Sequence, residues 1–204
     1  MNPFTEGYFL RGEGSNYKDY SWKPDLTVPA CKKIAEYLNF RRGDSVLDCG
    51  ASRGYYVRAM RMLGYRAFGY DISEWAVQNC DAEVAEYMSN EFPKRSFDWL
   101  LSKDCIEHIP ILDLGILIEA LNDKITKGML FIVPLTSVTD GRYVRPEDEM
   151  DVTHVIRWPM EQWISFLEDH APDFNINASY NIHGIKPAAA KARHSTGFFT
   201  LVRP

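Results

Sequence analysis

"LDCGASRGYYVRAMRMLGYRAFGYDIS", residues 47–73, is the stretch from which the fold is read. With Ser45 and Val46 ahead of it, the opening apolar run makes a short buried strand over 45–50 that leads into a turn bracketed by Gly50 and Gly54. Beyond the turn, Tyr56, Ala59, Met60 and Leu63 recur at helical spacing and Gly64 stops the helix. RAFGYDIS (66–73) is a second strand, and Ser73 is placed to cap a second helix, EWAVQNC (74–80). Two strands flanking a helix make one βαβ unit, for which parallel pairing and a right-handed crossover are expected.

The alternation persists on both sides of this unit. VPACKKIAEYLNF (28–40) carries Val28, Cys31, Ile34, Ala35 and Leu38 at amphipathic helical spacing, and RRGD breaks it before the first strand. Downstream, AEYMSN (85–90) reads as a weak third strand and SFDWLLS (96–102) as a fourth. ILDLGILIEALNDKI (111–125) reads as a helix leading through TKG to a fifth strand, MLFIVPL (129–135). This order indicates an α/β fold with a doubly wound, mostly parallel sheet. Past Leu135 a polar stretch precedes a helix opened by proline, PMEQWISFLEDH (159–170). Two closing strands follow, FNINASYNI (174–182) and TGFFTLVR (196–203), joined by a basic loop. With neither repeat nor linker, the 204 residues are expected to form a single domain: 1–27 as an arm or lid, 28–135 as a core, and 136–204 as loops and final strands facing a substrate.

Composition bounds the function. The chain is 46% hydrophobic and 25% charged, close to globular averages, and its apolar runs fall far short of the roughly 20 residues of a membrane span. No secretory signal is read at the N-terminus, so a cytoplasmic protein is expected. Cys31, Cys49, Cys80 and Cys105 are widely spaced without a C-x-x-C pair. They are expected to be buried thiols, with neither a disulfide framework nor a zinc site, and no metal cluster is foreseen. A net charge of −5 argues against a nucleic-acid partner.

The turn itself carries the chemistry. A glycine after the first strand lets a ligand approach the backbone, and an acidic residue closing the second strand can accept hydrogen bonds from ribose hydroxyls. Asp71 lies 21 residues beyond Gly50, near the roughly 20 expected. The dinucleotide fingerprint would need glycine where Ser52 and Tyr55 stand, and Asp48 would repel a phosphate while suiting a cationic amine.

VLDCGASRG, GYDIS and FDWLLSKDCIEHIP together resemble the class I S-adenosylmethionine-dependent methyltransferases, over roughly residues 45–135. The resemblance implies a Rossmann-like seven-stranded sheet with an antiparallel last strand, and S-adenosylmethionine as cofactor. It places Asp48, Cys49, Gly50, Ala51 and Gly54 around the methionine part, Asp71 on the ribose, and Ile72 beside the adenine. Ser89 and Asn90 fall where the family contacts the adenine edge. Ser102 and Lys103 close the fourth strand, and Tyr17 reaches in from the aromatic N-terminal segment, which the family uses as a lid. Ser52 departs from the family's middle glycine.

The acceptor is expected beyond the carboxyl ends of the strands. His154, within DVTH, and His108, within EHI, are the candidate bases, with Asp104 a third. Arg142 and Arg145, with Lys191 and Arg193 in the final loop, would frame a mouth for a small molecule bearing a carboxylate or phosphate. The expected reaction moves a methyl group to oxygen or nitrogen of that acceptor. Three alternatives stay open: a nucleic-acid or protein methyltransferase, a nicotinamide-dependent oxidoreductase, and a nucleoside-binding module without turnover. The oligomeric state is also left open.

Overall fold

β1 (Ser45–Cys49) and β2 (Arg66–Tyr70) lie parallel on either side of α2 (Tyr55–Met62), with Asp48 opposite Gly69 and Cys49 opposite Tyr70. The structure, a computed structural model, describes residues 2–15, 17, 19–186 and 194–204. Two helices are built as their sequences require. α1 (Pro24–Tyr37) opens at Pro24, four residues before its apolar periodicity begins, because proline suits the first helical position. α3 (Glu74–Gln78) is capped by Ser73, whose hydroxyl accepts from the Ala76 amide at 3.0 Å.

The remaining elements depart from the sequence reading at two places. Residues 82–87 form a 3-10 turn, because Asp81 caps it by accepting from the Glu83 amide at 3.0 Å, so the third strand shrinks to β3 (Met88–Ser89). After β4 (Phe97–Lys103), α4 (Ile111–Lys124) passes without a loop into β5 (Ile125–Pro134). The TKG expected to connect them lies inside the strand, at a register shift opposite Phe97 and Trp99. α5 (Met160–His170), β6 (Asn175–Ser179) and β7 (Thr196–Val202) complete the chain.

The seven strands are ordered β3-β2-β1-β4-β5-β7-β6, with β7 alone running opposite to the other six. The chain reverses direction across the sheet between β1 and β4, the switch point beside which an open α/β sheet holds its ligand. One face buries Leu47, Phe97, Phe131 and Phe199 against Ile118 of α4 and Trp163 of α5. The other buries Val46, Leu130 and Ile132 against Cys31 and Ile34 of α1 and Val57 and Met60 of α2. Cys31 and Cys49 are buried as expected, whereas Cys80 and Cys105 are half-buried; all four are free thiols. No helix among the described residues is long and apolar enough to cross a membrane.

The N-terminal segment crosses the carboxyl ends of the strands. It begins at the end of β2, where Asn2 donates to the Ile72 carbonyl and the Ser73 hydroxyl donates to the Phe4 carbonyl. A single π-turn (Gly7–Arg11) follows, and Phe9 stacks on Trp75 at 5.6 Å between ring centres. Tyr8, Phe4, Tyr17 and Tyr20 close the aromatic cluster. At its far side the Tyr8 hydroxyl donates to Asp151 at 2.7 Å, and the Gly14 carbonyl accepts from the Val152 amide at 3.0 Å.

Candidate active site

The turn after β1 has left-handed backbone at Gly50 (φ 84°), Ser52 (φ 49°) and Gly54 (φ 78°). A side chain at Gly50 would stand 2.3 Å from the Cys105 sulfur, and one at Gly54 would stand 2.9 Å from Met88 and Val84. Both positions are therefore closed to anything larger than glycine. The amides of Gly50 and Ala51 are spent on the Tyr70 carbonyl, which locks the turn to the end of β2. Asp71 holds the other side: its Oδ2 accepts from the Ser52 amide at 2.6 Å and its Oδ1 from the Ser73 amide at 2.8 Å. Each of its oxygens keeps a further lone pair.

Asp48 is buried, and none of the hydrogen bonds found among the described residues reaches its carboxylate. Burial, reinforced by the negative charge of Asp71 and opposed by Lys103, pushes it up to about 7. An anion in that state lacks a cation. Lys103 comes near but is engaged elsewhere: burial works against its charge, yet its ion pair with Asp104, together with Tyr56 and Tyr17, outweighs burial and raises it well above the usual lysine range.

Other residues expected around the cofactor are distributed unevenly. Cys49 and Ala51 point into the two cores. Ser102 is buried at the end of β4, while Ile72 is 63% exposed beside Asp71. Ser89 pairs back to Glu91 through its hydroxyl, its carbonyl accepts from the Asp71 amide, and Asn90 is exposed. A cavity of about 490 Å³ beneath Ser89 and Phe92, lined by Phe68, Tyr70 and Phe97, opens on the sheet face rather than at the turn.

A second, polar cavity of about 140 Å³ lies beyond β4 and β5. Tyr17, Asp104, Glu107, His108, Arg145, Asp148, Asp151, His154 and Lys186 line it. It exists because the segment after β5 folds back: the amides of Val155 and Ile156 both donate to the Glu107 carbonyl at 3.0 Å. This sets His154 against His108, with ring centres 4.7 Å apart. His108 Nδ1 lies 2.8 Å from the Thr153 hydroxyl, which donates to Asp151 at 2.5 Å, so Nδ1 carries the proton. His154 Nδ1 lies 2.9 Å from the Asp148 carbonyl, which can only accept. With Nδ1 the donor in both rings, the lone pair of either imidazole in its neutral form sits on Nε2. Burial, with the His154 ring adding to it and Asp151 opposing, lowers His108 to about 4.

The cavity sorts the expected catalytic and substrate residues. His108, His154 and Arg145 line it, whereas Arg142 is exposed and does not. The chain turns between Arg142 and Arg145, where Tyr143 is buried with its hydroxyl on the Ile156 carbonyl. Asp104 lines the cavity but is poorly suited to take a proton. Burial would raise it, but Lys103 and Lys186, the latter at 2.7 Å, outweigh burial and hold its carboxyl well below the usual range. Lys191 and Arg193 lie outside the described residues.

Sequence reasoning passed over three contributors. Glu107 is fully buried and neither oxygen has a hydrogen-bond partner among the described residues; burial and the charge of Asp104 raise it well above the usual range. Its only signal was its place beside His108 in EHI. Tyr8 and Thr153, which tie the arm to Asp151, gave no signal beyond the aromatic N-terminus and the DVTH motif. Glu107, His108 and His154 together form a ligand-capable cluster that nothing in the spacing of these residues announced.

A seven-stranded sheet of this order, with its last strand reversed and a glycine turn facing an acidic residue, defines the class I methyltransferase fold. The methyltransferase-domain profile matches residues 24–177, and the chain belongs to that family, whose class I members use S-adenosylmethionine. No curated protein sequence matches. Among solved structures, a SAM-dependent methyltransferase from Archaeoglobus fulgidus is similar with a TM-score of 0.68 at 14% identity, covering 89% of this chain and 95% of that one. A complex between the Haloferax volcanii Trm112 methyltransferase activator and a methyltransferase matches at 0.65 and 18%, over 89% and 92%. The magnesium protoporphyrin IX methyltransferase of Synechocystis PCC 6803, with bound SAM, matches at 0.61 and 14%, over 87% and 79%.

Proposed function

We propose that this methyltransferase acts on an oxygen or nitrogen of a small polar acceptor seated in the cavity between His108, His154 and Lys186. The observation that carries the reading is the cavity itself. It is small, it is walled by polar side chains, and Asp104 in its wall follows β4, the strand paired with β1. Tyr17 lines it from above, so the N-terminal arm acts as a lid that excludes water.

The residues of the turn fit S-adenosylmethionine. Asp48, buried without a cation of its own, would meet the ammonium of the methionine part. Asp71 keeps lone pairs for the ribose, and Ile72 offers an exposed apolar side chain to the adenine. When bound, the cofactor supplies a methyl group already activated on a sulfonium. The chain then has to place an acceptor lone pair in line with that methyl and keep water out. His108 and His154 line the cavity with Nδ1 engaged as a donor, so either imidazole, in its neutral form, can take the proton of an acceptor hydroxyl at Nε2. Arg145, paired only loosely with Glu147 at 3.8 Å, is the cation placed to hold a carboxylate or phosphate on the acceptor.

The test is incubation of the protein with methyl-labelled S-adenosylmethionine and separated metabolite, RNA and protein fractions. Label in the metabolite fraction, lost on Arg145→Ala when the acceptor is anionic, supports the reading. Label confined to RNA or protein refutes it.

A further inference from the structure

Glu107, His108 and His154 come from two segments 47 residues apart at their extremes, yet their ligand-capable atoms all lie within 4.8 Å of one another. His154 Nε2 stands 3.9 Å from Glu107 Oε1. Glu107 is fully buried, and neither of its oxygens has a hydrogen-bond partner among the described residues, a costly arrangement that a cation relieves.

The second observation is the orientation of the imidazoles. Metal-bound histidines donate their other ring N–H to a carbonyl or to a carboxylate-supported group. His154 does so to the Asp148 carbonyl, and His108 does so to Thr153, which relays to Asp151. Each ring is thus fixed in the tautomer that leaves Nε2 free. Asp104 stays outside the set, since Lys103 and Lys186 take its two oxygens.

We infer that Glu107, His108 and His154 bind one divalent transition-metal cation, of the zinc, cobalt or manganese type, with its remaining positions open to the polar cavity. Two imidazoles and one carboxylate suit such ions, whereas magnesium and calcium favour oxygen ligands throughout. Ligands at about 2.0–2.1 Å in tetrahedral arrangement are about 3.3 Å apart, so binding draws the three side chains inward. With metal bound, both Nε2 atoms are ligands and neither imidazole serves as the base; the open positions would hold an acceptor oxygen, polarise it and make its hydroxyl more acidic in place of that base. That use rests on the proposed acceptor reading; the site itself rests only on the geometry above.

The experiment strips the purified full-length protein with chelator and titrates it with Co2+, read by visible absorption, and with Zn2+ by calorimetry. A parallel titration uses S-adenosylhomocysteine. One equivalent of metal is expected, with cobalt bands of a four- or five-coordinate site that zinc displaces. Glu107→Gln and His154→Ala should each weaken binding by about a hundredfold or more, and Thr153→Val by about tenfold, each with a far smaller change in S-adenosylhomocysteine affinity. Wild-type protein that takes up neither ion, or variants that bind them as wild type does, would overturn the inference. Should Glu107→Gln fail to fold, the wild-type and Thr153→Val titrations still decide. Metal bound without any S-adenosylhomocysteine binding would count against the methyltransferase reading alone.

Discussion

Cofactor binding should expel a proton from Asp48, and the size of the effect follows from where that carboxyl sits. Buried beside Asp71, it titrates at about 7 in the free protein. An ammonium placed against it would return it to an ordinary carboxylate value of about 4, so the proton must leave before the ion pair forms. With those two values, affinity for S-adenosylmethionine should weaken about fifteenfold between about pH 7 and pH 5.5, and each binding event near pH 7 should release about half a proton. Calorimetry in two buffers of different ionisation enthalpy counts that proton directly. Asp48→Asn should bind more weakly at neutral pH and show neither the pH dependence nor the proton release. The free protein shows the opposite sign. Because the folded value is raised above the unfolded 3.8, the contribution of Asp48 to stability is fully present below about 4 and is lost as pH rises through about 7. Asp48→Asn should therefore raise the melting temperature of the cofactor-free protein at about pH 8, by at most about 4 kcal/mol of stability. A wild-type affinity that is flat over this range, with no proton released, would refute the placement of an ammonium at Asp48.

Three further outcomes are expected. Gly50→Ala forces a side chain against Cys105 at a left-handed residue and should cost about 2–4 kcal/mol by denaturant titration, with loss of cofactor binding. Tyr8→Phe removes the buried hydroxyl that joins the arm to Asp151; it should cost about 1–2 kcal/mol and lower turnover more than cofactor affinity, read as a drop in kcat. Lys127→Ala, at the opposite end of the strands, leaves Asp44 and Asp98 without their shared ammonium, 2.7 and 3.1 Å away. Both carboxyls are held below their ordinary range, so the contribution is present above about pH 4 and disappears as pH falls further. The partly exposed pair is worth about 1 kcal/mol, and melting curves at neutral and acid pH, with cofactor affinity unchanged, check it.

What the sequence disclosed and what it withheld divide along the range of the interactions. Strand, turn and helix over 47–73 were legible because their signals are local: an apolar run, glycines where φ is positive, a 3.6-residue period and the cap Ser73. The third strand was misread because Asp81, as a cap, outcompetes the strand pattern of the residues after it. The join of α4 to β5 was misread because Thr126, Lys127 and Gly128 look like a turn, whereas pairing with β4 and β7 holds them extended. The polar cavity depends on longer reach. His108 and His154 were singled out separately, but their meeting is set by two backbone amides bonded to the Glu107 carbonyl. Arg142 and Arg145 looked equivalent three residues apart, and only the burial of Tyr143 between them decides which one faces inward.

The two halves of the site are consequently held by different physics. On the β1–β2 side, the turn is fixed by amides bonded to strand carbonyls and by glycines pressed against Cys105 and Met88, so its shape is set by the sheet. On the β4–β5 side, the cavity is a polar network. Tyr8, Asp151, Thr153 and His108 form one chain of hydrogen bonds that begins in the N-terminal arm. The same arm is anchored at its start to Ile72 and Ser73, beside the acidic residue that closes β2. A single segment therefore touches both halves, and any ligand that shifts the arm at one end strains its bonds at the other. Filling the turn should thus order the imidazole pair before an acceptor arrives, which couples the two binding steps through the arm and not through the sheet.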